Sequence, residues 1–308
     1  MARSRTRKKK KWPWIVGIPA VLLLAGIGYL LLIYMDFSKT VKGIHEPIDR
    51  VVSEKRDEPI AFHKEDPFSV LILGVDERAD DAGRSDTIIV LTVNPETNST
   101  KMVSIPRDTY TEIIGRDFKD KLNHAYAFGG ITMAMESVEN LLDIPIDYVV
   151  QVNMESFKDI VDAVGGVTVN NALDFKQGGH TFNKGNIHLN GEEALDFVRM
   201  RKEDPRGDFG RQDRQKEVIQ AVIREGASLS SLLNYKSIFG AVSDNIRTNM
   251  TFDEMMEIQK NYRSATGEIE QMHIDQGTGQ TIDGIWYYMM NDDELLEIQD
   301  ELKTHLAL

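Results

Sequence analysis

The chain has no cysteine. No disulfide can brace an exported domain and no thiolate is available as nucleophile or metal ligand, so stability has to come from a packed core. Acid is absent from residues 1 to 11, which carry seven bases (Arg3, Arg5, Arg7 and Lys8 to Lys11). Charge of either sign is then absent from Trp12 to Met35. Those 24 residues make a helix of about 36 Å, enough to span a bilayer with some tilt. Trp12, Trp14 and Tyr34 stand at its ends as interfacial aromatics do. No small-x-small cleavage site precedes Asp36, so the segment reads as an uncleaved anchor rather than a signal peptide. The basic flank orients it with the N-terminus in the cytoplasm. The expected organisation is a basic cytoplasmic tail (1–11), a transmembrane helix (12–35), an extracellular stem (36–66) and an extracellular domain (67–308), a single-pass type II protein of the cell membrane.

Basic residues are scarce beyond the tail. Without its seven bases, 29 Lys and Arg face 49 Asp and Glu, a formal charge of −20. That balance excludes a nucleic-acid binder, and eleven cytoplasmic residues are too few to form a DNA-binding fold.

Against this acidic background, FVRMRKEDPRGDFGRQDRQ (197–215) concentrates Arg199, Arg201, Arg206, Arg211 and Arg214. Guanidinium forks match phosphate geometry and stay charged when desolvated. Arg199 and Arg201 share a face only in an extended segment. Arg211, Arg214 and Gln215 have the i, i+3, i+4 spacing of one helix face, and the stripe continues through Val218 and Val222, so it turns toward the protein body. The pattern predicts a cationic cleft at a helix start, where exposed N–H groups favour phosphate further. The competing reading is that these arginines neutralise Glu203, Asp204, Asp208 and Asp213 in the same stretch.

Short apolar or β-branched runs at 68–73, 87–93, 101–105 and 147–152 predict strands. Spacings of three and four predict helices over 131–143, 154–166, 211–226, 231–243, 252–263 and 292–303, with another opening at Asn190. Asn190 with Glu193 forms a capping box, and Gly165-Gly166 stops a helix before a β run. The alternation argues for a layered α/β domain.

Three further segments set charge beside strand ends. LGVDERADDAGRSDT places Asp76 after one strand and Arg84 and Asp86 before the next; the two aspartates can meet over adjacent strands and hold a divalent cation such as Mg²⁺, or form an acidic surface turn. SIPRDT offers Arg107 as a phosphate clamp, and Asp108 as an orienting, turn-capping or proton-accepting group. KDKLNHAYAFGG brings Lys121, Asn123 and His124 before a helix, the histidine reading as structural.

In order, GVDER with GRSDT, SIPRDT, KLNHAYAFGG, VNMESFKDIVDAVGGVTV and LNGEEALDFVRMRKEDPRGDFGRQDRQ resemble the motif series of the LytR-CpsA-Psr family over roughly residues 68 to 225, most closely its Gram-positive wall teichoic acid transferases. The resemblance implies a three-layer α-β-α sandwich with a central mixed sheet and a lipid tunnel. It implies transfer of an anionic glycopolymer from a polyprenyl pyrophosphate carrier to the muramic acid C6 hydroxyl of peptidoglycan. It implies Mg²⁺ (or Mn²⁺) at Asp76 and Asp86. Arg84, Arg107, Arg199, Arg201, Arg211 and Gln215 match its pyrophosphate-binding positions, with Lys121 and Arg214 as further members of that set. The proton acceptor is left open among Asp108, Asp76 and Asp208, and Arg107, Asp108 and Asp208 are the catalytic candidates. A metal-dependent polyprenyl pyrophosphatase and a non-catalytic receptor for lipid pyrophosphate fit the same arginines.

Overall fold

The structure, a computed structural model, describes residues 43–48, 52–75, 83–226 and 246–308. The expected tail, the membrane segment, Asp76 and the 231–243 helix lie outside them. Among the described residues no helix is long and apolar enough to cross a membrane.

A six-stranded mixed sheet organises the domain, in the order β11-β6-β1-β2-β3-β12. Strands β1 (Phe68–Val75), β2 (Ser85–Asn94) and β3 (Ser99–Ser104) form an antiparallel meander. On one side of it β6 (Tyr148–Asn153) runs parallel to β1; on the other, β12 (Glu268–Met272) runs parallel to β3. The three-residue β11 (Ile246–Thr248) closes the β6 edge antiparallel.

Alternation along the strands divides the core. Leu71, Leu73, Ile88, Val90 and Val103 pack with α1 (His124–Leu142) and α6 (Asp292–His305). The intervening Val70, Ile89, Leu91 and Met102 face the other way, with Ile219 and Ile223 of α4 (Asp208–Gly226) and Met255 and Ile258 of α5 (Phe252–Asn261). A third apolar cluster joins α4 to α2 (Met154–Ala163), α3 (Gly191–Arg199) and the β7–β10 pair (Val167–Asn171 with Gly185–Leu189). The fold is mixed α/β with a central mixed sheet.

The strands expected at 68–73, 87–93, 101–105 and 147–152 are all present. Helix α3 opens on the anticipated box, with Asn190 Oδ1 accepting from Glu193 N at 3.0 Å and Glu193 Oε2 accepting from Asn190 N at 3.0 Å. Gly165 and Gly166 end α2's connection at φ +92° and +85°, a region closed to most side chains. Helix α1 begins seven residues before the expected Ile131: a kink at Gly129-Gly130 joins an extra turn to it, and that turn carries His124.

Candidate phosphate-binding site

Asp86, the second residue of β2, is the extra residue at the register shift beside the end of β1, between Ser85, which pairs with Val75, and Thr87, which pairs with Gly74. Arg107 and Asp108 leave β3 through Pro106. Their backbone is fixed three times: Thr109 N–H donates to the Pro106 carbonyl (3.0 Å), Asn123 N–H to the Arg107 carbonyl (3.1 Å) and Tyr288 N–H to the Asp108 carbonyl (2.9 Å). On this rigid turn Arg107 acts as a hub. Its Nη1 lies 2.8 Å from Asp86 Oδ1 and its Nε 3.6 Å from Asp108 Oδ2. Burial alone would pull the guanidinium down, but the Asp86 charge and hydrogen bond, with the charges of Asp108 and Asp208, hold it above its ordinary value. The buried Arg107 Nε makes no hydrogen bond among the described residues.

Lys121 comes from β5 (Lys119–Lys121), which pairs with β4 (Tyr110–Glu112). Its Nζ donates to Asp108 Oδ1 at 2.8 Å and stands 5.8 Å from the Tyr287 ring centre. Tyr287, on β14 (Ile285–Met289), donates to Asp120 Oδ1 at 3.2 Å, and Asp120 Oδ2 is 2.7 Å from His124 Nδ1. His124 is thus a structural partner of Asp120, as expected. Burial pushes the Asp120 carboxyl up, yet the His124 and Lys121 backbone hydrogen bonds outweigh it and hold it low.

The third wall is the chain from α3 into α4. Helix α3 ends at Arg199, and Met200 is extended (φ −60°, ψ 131°), so the two arginines flank the helix end rather than sharing a turn. Arg201 Nε is 3.9 Å from Asp208 Oδ1, Arg211 Nε donates to the same oxygen at 3.0 Å, and Arg211 Nη2 reaches the Asp86 carbonyl at 3.5 Å. Gln212 donates to Asp208 Oδ2 at 3.3 Å. Burial raises the Asp208 carboxyl, but the Arg211 hydrogen bond and charge, then Gln212 and Arg107, overcome it and keep the group below the usual range.

Asp86, Arg107, Asp108, Lys121, Arg201, Asp208 and Arg211 therefore form one connected network, although they come from four separate segments. Arg84, two residues before Asp86, and Arg199, two before Arg201, are exposed and have no hydrogen bond or ion pair among the described residues. Gln215, one turn after Arg211, is buried with an unpaired Oε1.

Arg214 is not brought into this network. Its side chain is 7% exposed, its Nη1 lies 2.6 Å from the fully buried Asp204 Oδ2, its Nη2 donates to the Met200 carbonyl, and its guanidinium stands 5.6 Å from the Phe175 ring centre. Arg206 likewise pairs with Asp213 (2.6 Å) and Asp204 (3.6 Å). For these two arginines the neighbour-neutralising reading describes the geometry. Asp120, Gln212 and Tyr287 carry no local signal in the sequence; Tyr287 lies 167 residues from the acid it binds.

Among the described residues no three His or acidic side chains gather as a metal cluster. Asp86 gives one oxygen to Arg107 and keeps Oδ2 without a partner there. A lone free carboxylate oxygen fits an ion such as Mg²⁺, which takes few protein ligands and keeps places for water and phosphate.

The LytR_cpsA_psr family model matches residues 31–304. The polyisoprenyl-teichoic acid–peptidoglycan teichoic acid transferase TagU of Bacillus subtilis (strain 168) is 53% identical over 306 residues, 99% of each chain. The crystal structure of B. subtilis TagU superposes with a TM-score of 0.64, covering 78% of this chain and 97% of that one. A structure of TagT bound to LIIa-WTA is 33% identical, with a TM-score of 0.74 over 86% of this chain and 100% of that one. The chain belongs to the LytR_cpsA_psr family.

Proposed function

We propose that this enzyme transfers a wall teichoic acid-like glycopolymer from a polyprenyl pyrophosphate carrier to peptidoglycan, joining it through a phosphodiester to the muramic acid C6 hydroxyl. The transferase assignment follows the TagU relative. The observation that carries the chemistry is the pair of exposed guanidiniums, Arg84 and Arg199, unpaired among the described residues and close in sequence to a network whose other cations lie against carboxylates. Arg107, Arg201 and Arg211 are preorganised by Asp86, Asp108 and Asp208, while Arg84 and Arg199 are left to engage incoming phosphate oxygens.

In the reaction the acceptor oxygen attacks the sugar-side phosphorus. The P–O bond to the bridging oxygen breaks, and polyprenyl phosphate leaves with the electron pair. Phosphoryl transfer asks the protein mainly to position groups and offset charge, and the arginines with Lys121 do both. Gln215 Oε1, buried and unpaired, gives the same wall an acceptor. Of the candidate proton acceptors, Asp208 is held ionised by Arg211 and is better suited to positioning Arg201 and Arg211. Asp108 gives Oδ1 to Lys121 and leaves Oδ2 without a hydrogen bond, which suits it to take the hydroxyl proton. Asp86, with Asp76, would hold Mg²⁺ or Mn²⁺, which would add positive charge beside the pyrophosphate. The uncharged segment 12–35 anchors the chain in the cell membrane with the domain outside, beside its lipid-linked donor.

The test uses the full chain in nanodiscs with a lipid-pyrophosphate-linked saccharide and peptidoglycan oligomers, with and without Mg²⁺. Mass spectrometry is expected to show a saccharide phosphodiester on the glycan, and Arg107→Ala to lack it. Free phosphorylated saccharide as the sole product would instead identify a pyrophosphatase.

A further inference from the structure

Beside the arginine network, on the next face of α4, lies a cavity of about 650 Å³ lined by Ser104, Phe209, Gln212, Lys216, His273 and Asp275. A second cavity of about 260 Å³ shares Arg206, Asp213 and His273 with it, so the two form one trough across the helix. Gln212 is a common wall: it lines the larger cavity and donates to Asp208 of the network. Ser104 stands three residues before Arg107.

We infer that this trough binds a saccharide next to the reacting phosphate. In the wall of the larger cavity is Lys216, a 2% exposed lysine whose ammonium lies 3.0 Å from Asp213 Oδ1 and 3.2 Å from His273 Nδ1. Those two contacts use two of its three N–H groups, leaving one without a partner among the described residues. An ammonium can only donate, so the Lys216 contact assigns His273 Nδ1 as the acceptor and Nε2 as the ring N–H, without a partner among the described residues. The acceptors are Asp213, Asp275 and Ser104, and Phe209 and Ile274 give an apolar wall. Arg206 and Lys216 balance Asp213 and Asp275, so an anion finds little net attraction. A purely apolar chain would leave buried donors and acceptors unpaired. A neutral ring rich in hydroxyls, with C–H faces to set on Phe209, meets both demands. Two sugars have this chemistry: the acceptor glycan and the saccharide attached to the donor pyrophosphate.

The inference rests on the transferase reading, and its test separates the two. In the full chain, His273→Trp fills the rim from a residue whose side chain is 53% exposed, and Asp275→Leu removes an exposed acceptor. Steady-state transfer is measured against peptidoglycan oligosaccharide and against lipid-pyrophosphate-linked disaccharide. Both variants are expected to raise one KM about tenfold, the loss of one or two hydrogen bonds, while kcat changes less than about twofold. A rise for the oligosaccharide assigns the trough to the acceptor; a rise for the lipid-linked disaccharide assigns it to the donor sugar. Unchanged KM for both overturns the inference. Should the unaltered chain show no transfer, the functional reading fails, and equilibrium binding of the N-acetylglucosamine–N-acetylmuramic acid oligosaccharide and of the free disaccharide of the donor then decides the trough. Binding that His273→Trp abolishes upholds it, and equal or absent binding in both proteins overturns it.

Discussion

Arg211 and Arg214 stand three residues apart on α4 and live in different chemistries. Arg211 lies at the surface of a shared network, holding Asp208 and the Asp86 carbonyl beside Arg107 and Arg201. Arg214 is sealed against Asp204, the Met200 carbonyl and the Phe175 ring. One shares a partly exposed carboxylate with Arg201; the other holds a fully buried carboxylate, which Arg206 also approaches from outside, and ties the 200–206 loop to the helix. The run of arginines thus divides into two arrangements, the shared network proposed to take phosphate and the buried ion pair that holds the loop carrying part of it.

The largest way to break this comparison is Arg214→Met, which leaves Asp204 buried without its charge partner. Removing one member of a buried pair costs about 3–5 kcal/mol, so the urea midpoint of the full chain should fall steeply. The same site bounds the second prediction. Arg211→Ala is expected to lower transfer about 10²–10³-fold, the scale of losing one preorganised charge-stabilising donor, while stability falls by no more than about 1 kcal/mol because the pair is partly exposed. A third, smaller effect comes from Asp208→Asn. It removes the anchor that Arg201 and Arg211 share, and about a tenfold loss in kcat/KM is expected from misplaced arginines, with the fold intact by circular dichroism. If Arg211→Ala unfolds the chain while Arg214→Met only slows it, the division of labour is reversed.

Much of this arrangement was legible in sequence, for identifiable reasons. Strands β1, β2, β3 and β6 are continuous apolar or β-branched runs, and the Asn190/Glu193 box is a local signal. The edge strands were not legible: Ile246–Thr248 has three residues, and Glu268–Met272 has only two apolar residues, Ile269 and Met272, among Glu268, Glu270 and Gln271. At the site, Asp86, Arg107, Asp108, Lys121 and the arginine run declared themselves by charge beside strand ends. Their pairing did not, because it depends on tertiary register; the Arg211 contact to the Asp86 carbonyl spans 125 residues. Spacing on α4 put Arg211 and Arg214 on one stripe, and only the path of the 200–207 loop separates them by giving Asp204 to one alone.

The pH dependence of stability sharpens the contrast further. In the unaltered chain burial pushes the Asp204 carboxyl up, but the Arg214 hydrogen bond, the Arg206 backbone hydrogen bond and the charges of both arginines hold it below its ordinary value. Its folded pKa is therefore lower than its unfolded one, so its contribution is complete above about pH 3.9 and is lost as pH falls through the folded value. In Arg214→Met the first of those opposing interactions is gone and burial dominates. The folded pKa then lies above the unfolded one, and the sign changes: stability is present below about pH 3.9 and is lost as pH rises through the folded value. The deficit of the variant should thus grow from pH 4 toward neutrality, by about 1.4 kcal/mol for each unit by which the variant's folded value lies above pH 4. Urea midpoints of both proteins from pH 4 to 8 measure it. Parallel curves would mean that Arg206 and the backbone alone keep Asp204 ionised, and that the buried pair does not depend on Arg214 for its charge balance.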